Sequence, residues 1–154
     1  MLARAVAAFM ALPGVIAFAV PITIGLSARC RLRHVPVAIA LLASGTFLLL
    51  WCVREFYVAG RGTLAPWASP QRLVTTGPYR FSRNPMYVGV TGILCGWSAL
   101  WSSPVLLAYA VIVLCAFHVR VLWSEEPWAV RHFGAEWQAY AARVPRWIIN
   151  EHRY

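Results

Sequence analysis

Apolar residues gather into four runs separated by polar breaks: Ala5 to Leu26, Val35 to Val53, Met86 to Trp101 and Pro104 to Trp123. Crossing a hydrocarbon core takes roughly 20 helical residues, so each run predicts a membrane-spanning helix, the third of them short. The third and fourth read as a helical hairpin turning at Ser102-Ser103-Pro104. Within it Gly92 and Gly96 form a small-xxx-small pair that lets two helix backbones approach closely. The first run could also serve as a secretory signal, with Arg4 as its charged start and Ser27-Ala28 as a cleavage site. Its apolar stretch is too long for a signal core.

Between the second and third runs lies a polar stretch, Arg54 to Asn84, rich in Gly and Pro. After the fourth run comes a tail in which Trp128, Phe133, Trp137 and Tyr140 approximate one face of an amphipathic helix, suited to the headgroup layer. The expected architecture is all-α and a single domain over residues 1–154. It is an integral-membrane bundle of four transmembrane helices, with a cytoplasmic connecting segment and a C-terminal amphipathic helix. No internal repeat or low-complexity linker interrupts it.

Composition agrees with a membrane setting. The chain is 60% apolar and 12% charged, whereas soluble domains are about half apolar and a quarter charged. A disordered tail, a disulfide-stapled secreted module and a collagen-like fibre are excluded. The 14 basic residues are all arginine and the 5 acids all glutamate, a net charge of +9. Nucleic acid is the first partner such a balance suggests, but these arginines border apolar runs and form no continuous basic stripe. With four crossings, eleven arginines fall on one side against Arg29, Arg31 and Arg33 on the other. The positive-inside rule then places the N-terminus, the central stretch and the tail in the cytoplasm. Arginine without lysine in an alanine-rich chain points to a GC-rich bacterial genome, hence to the inner membrane. Cys30, Cys52, Cys95 and Cys115 have no metal-ligand spacing; no metal is expected, and they read as small buried side chains.

Two segments look unlike ordinary connectors. In the first, Gln71 to Gly89, Gly77-Pro78 marks a turn and Asn84-Pro85 fits an N-cap followed by proline at the first helical position. A helix start of this kind caps the third span, and it also offers unpaired amides to an anionic group. Tyr79 and Tyr87 would add ring faces able to meet a cation. The second segment is Ser124-Glu125-Glu126-Pro127, at the end of the fourth span. Adjacent acids near lipid cost free energy unless paired or at the water boundary. Ser124 as N-cap of a tail helix, with both acids in its first turn, is the structural explanation. Together the segments supply a carboxylate, helix-terminal amides, tyrosine faces and apolar walls, which suit S-adenosylmethionine.

The ordered set Leu73-Val74-Thr75-Thr76-Gly77-Pro78-Tyr79, Arg83-Asn84-Pro85-Met86-Tyr87-Val88-Gly89, Glu125-Glu126, Phe133-Gly134, Tyr140 and Val144-Pro145-Arg146 resembles the isoprenylcysteine carboxyl methyltransferase family and the related phospholipid N-methyltransferases. The resemblance covers residues 71–146, the motif-bearing part; the first two runs match only in being apolar. It implies an integral-membrane, S-adenosylmethionine-dependent methyltransferase acting on a lipid or lipid-like acceptor; no obligate protein partner is inferred. Carried over position by position, cofactor contacts fall on Gln71, Arg72, Leu73, Val74, Tyr79, Asn84, Pro85, Met86, Tyr87 and Glu125. Two positions depart from the pattern. Family members often have histidine where Asn84 stands, and the carboxyl methyltransferases have a substrate-contacting arginine where Val121 stands. Arg120 is next to it, but in a regular helix it points about 100° away. The substrate-side candidates are Arg120, Glu126 and His118, the last two as acceptors of a proton from an amine substrate. A phospholipid or small-amphiphile N-methyltransferase, a non-catalytic small membrane protein and a basic surface binder are the alternatives.

Overall fold

The computed structural model describes residues 10–27, 32–60 and 71–147. Residues 5 to 9 of the first run, Arg29, Cys30 and Arg31 in the first turn, and Arg61 lie outside the described residues. Every regular element among those described is helical. A wide-turned helical stretch, Met10–Ala19, leads into α1, Val20–Ser27; α2 is Val35–Val58, α3 Pro85–Trp101 and α4 Pro104–Arg120. A π-helical turn, Val121–Glu125, carries α4 on into α5, Glu126–Phe133, and α6 follows at Ala135–Arg143. A single 3₁₀ turn, Gly77–Arg80, precedes α3.

Two helical stretches, Val35–Val58 and Pro104–Phe133, are long and apolar enough to cross a membrane. The first has 24 residues, about 36 Å at 1.5 Å per residue, against a hydrocarbon core of about 30 Å. At 17 residues, α3 reaches only about 26 Å. Large apolar side chains such as Val37, Ile39, Phe47, Leu50, Val111 and Ile112 stand exposed along α2 and α4, as lipid-facing surfaces require.

The centre of the bundle is the seam between α2 and α3. A Cβ placed on Gly45 would lie 2.7 Å from the Gly89 carbonyl oxygen and 2.9 Å from Ile93 Cγ1, so the two backbones touch where neither has a side chain. Gly96 faces Leu42 in the same way, whereas a Cβ on Gly92 would meet only Gly45 Cα, at 3.7 Å. The close approach expected of the Gly92 and Gly96 pair is therefore made by Gly89 and Gly96, one heptad apart, and its partner is α2. Around this seam Ala17, Leu49, Val90, Ile93, Leu94, Ala110, Val113 and Phe117 form the main core.

The hairpin turn forms as expected. Ser102 adopts a left-handed conformation, and Ser103 caps α4 by accepting the Leu106 amide, with Pro104 in the first turn. The first helix is held by a different device. Pro21 has no N–H, so it cannot bond the carbonyl four residues back, on Ala17, or five back, on Ile16. Trp97 Nε1 donates to the Ala17 oxygen at 2.9 Å, and the Tyr109 hydroxyl to the Ile16 oxygen at 3.2 Å. The gaps left by one proline are thus filled from α3 and α4.

The tail differs from the expectation in two ways. Ser124 caps nothing: the helix runs unbroken from Pro104 to Phe133. The π turn over Val121–Glu125 ends two residues before Pro127, and its wider ring accommodates a residue that cannot close the usual four-residue bond. The single amphipathic helix is two helices, because Gly134 breaks it with φ 52°.

Candidate active site

Three groups of contacts meet where α3 begins, where α4 passes into α5 and where the tail returns. The first is the turn before α3. Gly77 has φ 56°, and a Cβ there would lie 2.9 Å from Glu55 Cγ; both conformation and space demand glycine. Glu55, buried near the end of α2, explains the crowding. Its carboxylate accepts the Thr76 hydroxyl at 2.6 Å, Arg54 Nη1 at 3.0 Å and Trp51 Nε1 at 3.3 Å. It thereby pins the 71–79 segment against α2. Below it Cys52, Val74 and Tyr79 form a second, smaller core with Phe56 and Met86.

Tyr79 is buried, its ring tilted against Phe56 at 5.5 Å, so it is an anchor of the turn and does not present the open ring face expected for a cation. Burial raises its phenol well above the ordinary value. Gln71 and Arg72 are exposed, Leu73 partly so, and Val74 is buried. Gln71 donates its backbone N–H to the Gly60 carbonyl at 2.9 Å.

The second is the tail. The Tyr140 hydroxyl donates to the Tyr79 carbonyl at 2.7 Å, and the Arg83 amide donates to the Pro145 carbonyl at 2.9 Å. Asn84 Nδ2 and Ser82 Oγ both donate to the Arg146 carbonyl, at 3.1 and 3.3 Å. Asn84 thus occupies the residue position before α3 but makes no side-chain cap; its amide is spent on the returning chain, which corrects the capping role read from sequence. Arg146 grips Glu126 with two bonds of 2.9 Å, and Arg83 Nη1 reaches the same carboxylate at 2.9 Å. The Arg83 guanidinium also lies 5.7 Å from the Trp137 ring centre. Burial lowers its proton affinity, against the opposing pull of Glu126. Tyr140 is likewise raised by burial, with Arg83 opposing. Glu126 is therefore a clamp between tail and turn, and its carboxylate is already committed to two arginines.

The third is the polar cluster at the end of α4. The Tyr87 hydroxyl donates to Glu125 Oε1, and Arg120 Nε lies 2.7 Å from the same oxygen. Positions five apart on a regular α-helix stand about 140° from one another. The π turn between them widens the winding and brings Arg120 and Glu125 to one side. Val121, at the position where the resemblance expects an arginine, is fully buried. The Tyr87 ring stacks on Phe117 with centres 4.2 Å apart, so one face is covered by protein. Pro85 is buried, and Met86 packs against both cores. His118 Nδ1 accepts Trp147 Nε1 at 3.3 Å.

The sequence reading missed Glu55. The signal was present: it is one of 5 acids, at the end of an apolar run, the same unusual setting that drew attention to Glu125 and Glu126.

A family model described as phospholipid methyltransferase matches residues 33–136. A nickel-cobalt-cadmium resistance protein of Alcaligenes xylosoxydans is 35% identical over 97 residues, covering 62% of this chain and 40% of that protein. A cobalt-zinc-cadmium resistance protein of Cupriavidus metallidurans is 32% identical with the same coverage. Protein-S-isoprenylcysteine O-methyltransferase B of Arabidopsis thaliana is 35% identical over 75 residues, 48% of this chain and 38% of that protein. The matched regions thus amount to about two fifths of the relatives' length. No solved structure matches. The family match runs from the start of α2 into α6 and takes in the Glu55 anchor, the turn before α3 and the Tyr87, Arg120 and Glu125 cluster, so the chain belongs to the phospholipid methyltransferase family.

Proposed function

We propose that the chain is an S-adenosylmethionine-dependent methyltransferase acting on a membrane-borne amphiphile, in the manner of a protein-S-isoprenylcysteine O-methyltransferase. The observation that carries this reading is the carboxylate of Glu125, held by Tyr87 and Arg120 beside the anchored 71–87 segment. The donor set fits the cofactor. Glu125 suits the ammonium of its amino-acid part, the 71–74 segment and the start of α3 suit its carboxylate and adenine, and Phe117 and Met86 offer apolar walls. When bound, S-adenosylmethionine supplies a methyl group on a sulfonium, open to in-line attack. The chain's own residues bind and orient: Tyr87 fixes Glu125, Glu55 fixes the 71–79 segment, and apolar helix faces keep water out.

In this reading α1 to α4 make four crossings, with the site and the tail at the cytoplasmic face of a bacterial inner membrane. A carboxylate acceptor needs no base. An amine acceptor must lose a proton, yet Glu126 is clamped between arginines and His118 uses Nδ1 to accept a bond; water is left for that task. A phospholipid amine is the second reading, favoured by the description of the family model. The metal-resistance names of two relatives find no donor set here: no group of three or more His, Cys, Asp or Glu able to hold a metal ion occurs among the described residues.

The test is to incubate membranes containing the protein with methyl-labelled S-adenosylmethionine and identify the labelled species. A labelled amphiphile that depends on the protein is expected, and its absence across native lipid extracts would refute the reading. Glu125→Gln should weaken S-adenosylhomocysteine binding about tenfold or more, since a charge-assisted bond contributes ~1.5 to 3 kcal/mol. Wild-type affinity in that variant would remove Glu125 from the site.

A further inference from the structure

The two adjacent glutamates are held in physically different ways. The side chain of Glu126 is only 17% exposed and is fixed by Arg83, itself 13% exposed, and by Arg146. Glu125 is 35% exposed, and its arginine partner, Arg120, is 49% exposed and approaches through a single nitrogen. Half-solvated ion pairs contribute little net free energy and open readily, whereas a fixed, desolvated pair does not. Both partners of Glu125, Tyr87 and Arg120, meet the same oxygen, Oε1. A ligand ammonium arriving at that oxygen would compete with the guanidinium and not with the clamp.

Resting on the reading above, we infer that Arg120 is the resident counter-ion of Glu125, displaced by the ammonium of the methyl donor and thereby released to bind an anionic group on the acceptor. Val121 is buried and cannot serve the acceptor. The π turn of Val121–Glu125 brings Glu125 round to the side of Arg120. Arg120 becomes free to bind an anion only when its partner is taken. Arg120 is then the residue that selects for an anionic acceptor, and it couples that choice to the presence of the donor.

The experiment is calorimetric titration of S-adenosylhomocysteine into the full chain in phosphatidylcholine nanodiscs, using wild type, Arg120→Gln, Glu125→Gln and the double variant. Arg120→Gln should bind about threefold or more tightly, having lost its competitor, and the gain should vanish in the Glu125→Gln background. Weaker binding in Arg120→Gln would overturn the inference, because it would make Arg120 a direct support of the donor; so would a gain that persists without Glu125. Adding dodecanoate to the discs should tighten S-adenosylhomocysteine binding in the wild type and leave Arg120→Gln unchanged. Equal responses in the two would overturn the anionic acceptor. Absence of any S-adenosylhomocysteine binding to the wild type and Arg120→Gln alike would overturn the methyl-donor reading itself, a result distinct from those above.

Discussion

At the scale of single residues, the five glutamates are too few to be incidental, and three of them organise the site. Glu55 is the one whose loss should be felt furthest from where it sits. Glu55→Ala would leave the Thr76 hydroxyl and the Trp51 indole without their part-buried acceptor, at a cost of about 1 kcal/mol. The expected outcome is a lower unfolding temperature in detergent together with weaker S-adenosylhomocysteine binding. Glu55→Gln, which keeps one acceptor oxygen, should recover part of both. Tyr87→Phe separates ring from hydroxyl. It keeps the stack on Phe117 and loses the bond to Glu125, so the unfolding temperature should hold while cofactor affinity falls, measured on the same sample.

At the scale of elements, packing is decided by where backbones touch. Gly45→Val should destabilise by about 1 to 3 kcal/mol, because its side chain would be forced into the Gly89 carbonyl and Ile93. Gly92→Ala should be close to neutral, with Gly45 Cα as its sole new neighbour. Thermal unfolding of the two variants side by side checks the pair. The four apolar helices were legible from run length alone, and so was the Ser102 to Pro104 turn, because serine and proline have strong local preferences there. Which glycine faces which helix was not legible, since Gly89, Gly92 and Gly96 share nearly the same periodicity and only the placement of α2 distinguishes them. The π turn was illegible for a similar reason. Ser124 and Pro127 carry the local signature of a new helix, and the continuity of Val121 to Phe133 overrides it. Regular helical geometry turns Arg120 about 100° from Val121, and only the winding of the π turn shows that it meets Glu125.

At the scale of the whole molecule, the tail is a structural part of the site. Residues 140–147 reach the turn before α3 through the Tyr79, Arg83, Ser82 and Asn84 contacts and reach α4 through His118. A chain ended at Arg143 should insert into membranes yet lose most of its S-adenosylhomocysteine affinity, because Glu126 and Arg83 lose Arg146 and the turn loses its cover. Retained affinity in the shortened chain, read by calorimetry, would show that the turn holds itself. The sequence resemblance marked Tyr140 and Val144-Pro145-Arg146 as part of a pattern, but their purpose lies in contacts more than 60 residues away along the chain, as with Asn84 and Arg146.

The bonds from Trp97 and Tyr109 to the first helix have a consequence for biosynthesis. The carbonyls of Ile16 and Ala17 precede by 80 or more residues the side chains that bond them, and a buried carbonyl without a partner costs free energy. The Met10–Ser27 stretch therefore gains these partners only once α3 and α4 are in place. Along the chain, the order of synthesis and the order in which these bonds form are thus reversed: the stretch made earlier waits for helices made later.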